Sequence, residues 1–88
     1  MRGIYWEAPA WEDYLEIQSD KTLLKKVNIL IKDIQRNGYK CSYGKFEKLK
    51  HDFAGLASVR IDKKNRIVFH VNDKQVTIAE CGGHYDDK

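Results

Sequence analysis

Eighty-eight residues make one domain with a single core, too short to hold a separate cofactor domain; such a chain buries only roughly 60–65% of the surface it exposes when unfolded. A composition of 42% hydrophobic and 33% charged residues excludes a disordered tail, and no apolar run approaches the roughly 18 residues of a membrane span. The net charge of +3 hides an uneven split: residues 1–20 carry one basic and five acidic side chains, residues 21–50 nine basic and two acidic, and residues 51–88 six of each.

The first residues, Arg2 to Trp6, are rich in strand formers and predict a short first strand. They lack a secretory signal's basic-then-apolar order, so a cytoplasmic location is expected. Pro9 suits the first turn of a helix, where a missing N–H costs nothing. Trp11, Tyr14 and Leu15 then follow at i, i+3 and i+4 and predict a helix over about residues 9–18. Asp20 is an N-cap candidate for a second helix. There Leu23, Leu24, Val27, Leu30, Ile31 and Ile34 form an amphipathic stripe, with Lys25, Lys26, Lys32 and Arg36 off it and Asn37-Gly38 as the stop.

Residues 39–50 read as a loop running into a short strand near Phe46–Lys50. From Leu56 the period changes to two. Ala57, Val59 and Ile61 alternate with Ser58, Arg60 and Asp62. Ile67, Phe69 and Val71 follow on a second strand, and Val76 and Ile78 on a third after an Asn72-Asp73 turn. The expected architecture is a single α+β domain over residues 1–88, two N-terminal helices on one face of a small, mainly antiparallel twisted sheet. Cys41 and Cys81 come without zinc-ligand spacing and are expected to be free thiols, Cys81 on a buried strand.

Arg60 and Arg66 are out of phase with the apolar positions around them and are assigned to the second sheet face. An odd-length connection over Asp62–Asn65 would stand them side by side there. The positive stretch 21–50 and such an arginine pair would draw in phosphates. Glu47, Arg66 and His84 are the three groups needed to cut RNA without a metal: a carboxylate to take the 2′-hydroxyl proton, an arginine for the phosphate charge, a histidine to protonate the leaving oxygen. Lysines 45, 48 and 50 surround Glu47 and favour its ionised form.

The order Trp11-Glu12-Asp13-Tyr14, Lys25-Lys26-Val27-Asn28, Gly44-Lys45-Phe46-Glu47-Lys48-Leu49-Lys50, Arg60-Ile61, Asn65-Arg66-Ile67-Val68-Phe69 and His84-Tyr85 resembles the YoeB branch of the RelE/ParE superfamily of bacterial type II toxins. These are ribosome-dependent endonucleases of messenger RNA. The resemblance covers essentially the full length and implies the RelE-like fold, with Glu47 as general base, His84 as general acid and Arg66 as phosphate stabiliser. Tyr85 would orient the substrate, and Lys45, Lys50 and Arg60 would hold phosphates of the message. No cofactor or metal is implied. The products would carry a 2′,3′-cyclic phosphate and a 5′-hydroxyl.

Implied partners are the ribosome with its messenger RNA, a cognate antitoxin of the YefM type, and a second copy of the chain in a homodimer. The antitoxin would cover the basic surface around Lys45–Lys50 and Arg66, or shift the segment Gly82-Gly83-His84-Tyr85. The chain departs from the family pattern at Ala57 and Val59, at Asn65, at Gly82-Gly83 and by continuing past Tyr85. His51 and His70 match no catalytic position, and Trp6 and Trp11 are assigned to the core or a dimer contact. Two other functions fit a basic sheet face: a same-fold toxin that binds a protein target such as a gyrase, and an RNA-binding module without chemistry.

Overall fold

A computed structural model of the chain describes residues 1–50 and 54–82. Strand β1 (Gly3–Trp6) leads into helix α1 (Ala8–Glu16), a 3₁₀ turn at Ile17–Ser19 and helix α2 (Lys21–Asn37). A second 3₁₀ turn, Gly38–Lys40, precedes the four remaining strands: β2 (Glu47–Lys48), β3 (Ala57–Arg60), β4 (Arg66–Val71) and β5 (Gln75–Cys81). Among the described residues, five strands make one sheet in the order β1-β5-β4-β3-β2. Every pairing is antiparallel except β1 with β5, which run parallel.

Helix α2 forms as its stripe dictates. The Asp20 carboxylate accepts the Leu23 N–H at 3.1 Å, satisfying one of the donors that a helix start leaves unpaired. Gly38, at φ +60°, ends the helix with its own N–H on the Ile34 carbonyl. Val27, Leu30, Ile31 and Ile34 are buried against the sheet, each contributing about 1.5–3 kcal/mol of apolar burial. Arg2 fastens the far end. Its guanidinium donates to the carbonyls of Asn72 and Gln35, and the Gln35 amide donates to the Arg2 carbonyl at 2.7 Å, so helix end, first strand and β4–β5 turn are held together.

Helix α1 exists where the spacing places it but ends earlier, at Glu16, and turns a different side inward. Ala10 is fully buried, Tyr14 and Ile17 pack on the core, and Trp11 and Leu15 remain 43% and 46% exposed. The inward residues stand at i, i+4 and i+7, an equally good helical period built from smaller side chains. Trp11 joins Trp6 and Tyr14 in an aromatic group at the α1–β1 junction, and the Tyr14 hydroxyl donates to Asn28 of α2.

The core lies between the helices and one sheet face, with Val59, Ile67, Phe69, Val76, Ile78 and Cys81 at its centre. Both cysteines are free and buried. Burial, and then the Asp13 carboxylate nearby, pushes the Cys81 thiol up to about 12. Burial, then Asp33, also raises Cys41. The second sheet face is less open than the alternation predicts. Arg60 and His70 on it are exposed, but Ser58 and Val68 retain only 2% and 3% of their accessible surface.

The strand alternation breaks once. In β5, Ile78 pairs with Phe69 and Glu80 with Val68, so Ala79 is an extra residue opposite no partner. Strict alternation from Val76 and Ile78 would drive Glu80 into the core. The bulge reverses the phase, burying Cys81 opposite Ile67 and turning Glu80 to the arginine face.

Candidate active site

Two of the candidate catalytic groups, Glu47 and Arg66, come together where β2, β3 and β4 meet on the second sheet face. The chain enters β2 through Gly44 and Lys45, both with left-handed backbone (φ +79° and +51°). Left-handed backbone at a lysine costs about 1–2 kcal/mol and is held only where the surroundings impose it. Here the Gly44 carbonyl accepts the Arg60 N–H, closing the gap to β3. A Cβ at Gly44 would lie 2.8 Å from Leu30 Cδ2 and 2.9 Å from the Arg60 carbonyl, so only glycine fits this approach.

Register then aligns the side chains. Glu47 stands opposite Ser58, and Ser58 opposite Val68. Two residues along, Arg60 stands opposite Arg66. The connection that makes this pairing is five residues long, 61–65, and is fixed by Asp62. Its Oδ1 accepts the Lys64 and Asn65 N–H groups, both at 2.9 Å, and the carboxylate takes the Asn65 amide as well. Burial works against the charged Asp62, but these bonds, with Lys26 nearby, outweigh it and hold the carboxyl below its ordinary value.

Two guanidinium groups directly opposite across a strand pair destabilise the sheet by up to about 1 kcal/mol. That arrangement favours an anion between them. The Arg66 guanidinium donates to Ser58 Oγ at 3.4 Å, which turns it toward the Glu47 side of the sheet. Lys45, Phe46, Glu47, Ser58, Arg60 and Arg66 together line a small cavity of about 180 Å³. Its volume suits a phosphodiester group, with three cations and one carboxylate around it.

Of the seven residues assigned from sequence, the structure brings Lys45, Glu47, Arg60 and Arg66 into this cavity. Lys50 is exposed beyond the end of β2 and does not line it. His84 and Tyr85 lie outside the described residues. Sequence reasoning missed Ser58 as a site residue, although its phase with Arg60 already assigned it to that face. Glu80 was missed because its own phase pointed inward; the bulge brings it, half-buried, to the site's face one strand beyond Arg66. Among the described residues, no group of three or more His, Cys, Asp and Glu side chains could hold a metal ion.

Comparison with known proteins agrees over nearly the whole chain. Residues 6–85 match the family model of the YoeB-like toxin of bacterial type II toxin–antitoxin systems. Toxin YoeB of Escherichia coli (strain K12) is 42% identical over 83 residues, covering 93% of this chain and 98% of that one. The YoeB dimer from Staphylococcus aureus superimposes with a TM-score of 0.86 at 42% identity, covering 96% of this chain and 98% of that one. The heterotetrameric YoeB–YefM toxin–antitoxin complex from Staphylococcus aureus gives 0.87 at 42% identity, covering 97% and 99%. By sequence over its length, and by a fold that agrees with it, the chain belongs to the YoeB-like toxins of bacterial type II toxin–antitoxin systems.

Proposed function

We propose that this toxin is a metal-independent endoribonuclease that cleaves messenger RNA in the decoding site of the ribosome. The observation that carries the reading is the shared cavity of Glu47, Arg60, Arg66 and Lys45, a base and a cluster of cations at the scale of one phosphodiester.

The Glu47 carboxylate removes the proton of a 2′-hydroxyl, and that oxygen attacks the adjacent phosphorus. Arg66 meets the charge that grows on the phosphate oxygens, and Arg60 and Lys45 hold the phosphate in line. His84 gives a proton to the departing 5′-oxygen as the P–O5′ bond breaks, leaving a 2′,3′-cyclic phosphate and a 5′-hydroxyl. Tyr85 orients the nucleotide, and Lys50 holds a flanking phosphate. Glu47 is exposed, and the ribosome contributes by aligning the strand beside it. The toxin acts as a homodimer and is restrained by a YefM-type antitoxin, as the assemblies of its Staphylococcus aureus relatives support.

The test is a purified chain added to ribosomes carrying a defined message. A new upstream fragment ending in a cyclic phosphate is expected, and Arg66→Ala is expected to lose it. An intact message with inhibited gyrase would favour the protein-binding alternative, and RNA binding without cleavage would favour the module without chemistry.

A further inference from the structure

Glu80 reaches the arginine face only because β5 is interrupted at Ala79, and its place there is fixed from both edges of the strand. The Gly82 N–H donates to the Arg66 carbonyl at 2.8 Å. On the opposite edge, Asp13 of α1 accepts the Cys81 N–H at 3.4 Å. The chain that follows Glu80 is thereby tied to β4 and to α1, which holds the reversed phase beyond the extra residue.

Register then gives Glu80 its neighbours. Val68 stands between Ser58 on β3 and Glu80 on β5, and Arg66 lies two residues along β4 on the same face. Arg66 is therefore diagonal to both Ser58 and Glu80, a separation of roughly 7–8 Å that long side chains cross. Toward β3 it makes the crossing, donating through Nη1 to Ser58 Oγ. Toward β5 the diagonal neighbour is a carboxylate. Glu80 Oε1 is buried, and Val68 beside it is buried too although it stands on the outer face. An ionised carboxylate taken out of water calls for a cation close by. On this face the register puts Arg66 in that position.

We propose that Glu80 is a positioning residue for Arg66. Its carboxylate takes guanidinium donors that point away from the cavity, and the two side chains close over Val68. The guanidinium is a rigid fork with donors on more than one edge. One edge rests on Glu80, while the edge carrying Nη1 stays turned toward Ser58 and the phosphate position. The like charge of Arg60, directly opposite, would otherwise push Arg66 off that line. The proposal rests on the reading, under Proposed function, that Arg66 meets the charge growing on the phosphate. A carboxylate beside the cations does nothing to hold the message. Its contribution is the geometry at which Arg66 acts in the transition state, so it belongs in kcat and not in KM.

The experiment compares the unchanged full-length chain with Glu80→Ala and the nearly isosteric Glu80→Gln. Cleavage of ribosome-bound message gives kcat and KM, and heteronuclear NMR of the toxin alone follows solvent exchange of the Arg66 Nε–H, assigned through Arg66→Lys. Glu80→Ala is expected to lower kcat at least about tenfold, with KM unchanged or lower, and to speed that exchange. Glu80→Gln keeps an acceptor without the charge and is expected to fall between. Should Glu80→Ala fail to fold, Glu80→Gln decides by the same two readouts. An Arg66 signal that is the same in every variant overturns the proposal, whatever the rates. An altered signal with unaltered kcat overturns it as well, and a raised KM at unchanged kcat overturns it in favour of a role in binding the message. An unchanged chain that leaves the message intact overturns the ribonuclease reading, while the Arg66 signal still decides whether Glu80 orients the guanidinium.

Discussion

Arg66 is the residue whose removal separates chemistry from folding most cleanly, because it is half-buried on the face away from the core and reaches Ser58. Arg66→Ala is expected to cut cleavage of ribosome-bound message about 10²–10³-fold with far-ultraviolet circular dichroism unchanged. Glu47→Gln is expected to cost at least about tenfold in the same assay. Full activity in Arg66→Ala would refute the site. Asp33 predicts a stability effect instead. Burial works against its charge, but the Asn37 amide and the Tyr43 and Ser42 N–H groups overcome this, so its carboxyl titrates below the ordinary 3.8. A lowered value stabilises the folded state above that ordinary value, and the contribution is lost as pH falls through the depressed one. Acid unfolding of Asp33→Asn is therefore expected to show a shallower limb below pH 3.8, with a loss of about 1–3 kcal/mol at neutral pH from the disturbed bonds. Cys81, raised to about 12 by burial and Asp13, is expected to resist thiol reagents at pH 8 by on the order of a thousandfold relative to the unfolded chain. Stopped-flow labelling with a chromogenic disulfide would measure it.

Among the elements, the segment from Gly44 into β2 is the one on which the site most depends. Gly44→Ala would press a methyl group on Leu30 and the Arg60 carbonyl at a backbone φ of +79°. The combined strain and crowding cost roughly 2–4 kcal/mol, an expected fall in melting temperature of at least about 10 °C by calorimetry. Helix α2 was legible because its stripe, Asp20 cap and Gly38 stop all gave the same answer. The arginine pair was legible through phase and the parity of the 61–65 connection. Other features left no trace that a local reading could use. Ala79 has no composition that marks a bulge, so Glu80 was not assigned to the site. In α1 the large side chains Trp11 and Leu15 drew attention, whereas the tight packing against the sheet selects Ala10. The left-handed Lys45 follows from how closely β3 passes, which is a tertiary fact.

At the scale of the whole molecule, acidic and basic surfaces divide between the helices. The sheet's closure is less local than any of its parts. Gly3 pairs with Gln75 and Trp6 with Ile78, so the first strand's neighbour is the last of the described strands in chain order. Val76, Ile78 and Cys81 also complete the core only with that strand. A chain ending at residue 74 is thus expected to lack protease resistance and sheet signal by circular dichroism. For a protein proposed to attack ribosomes, this sets a timetable. While β5 is still inside the exit tunnel, β1 has no partner and the core has no centre. The sheet and the core can close only once β5 has left the tunnel, so a partner that reads the folded surface meets it only from that moment.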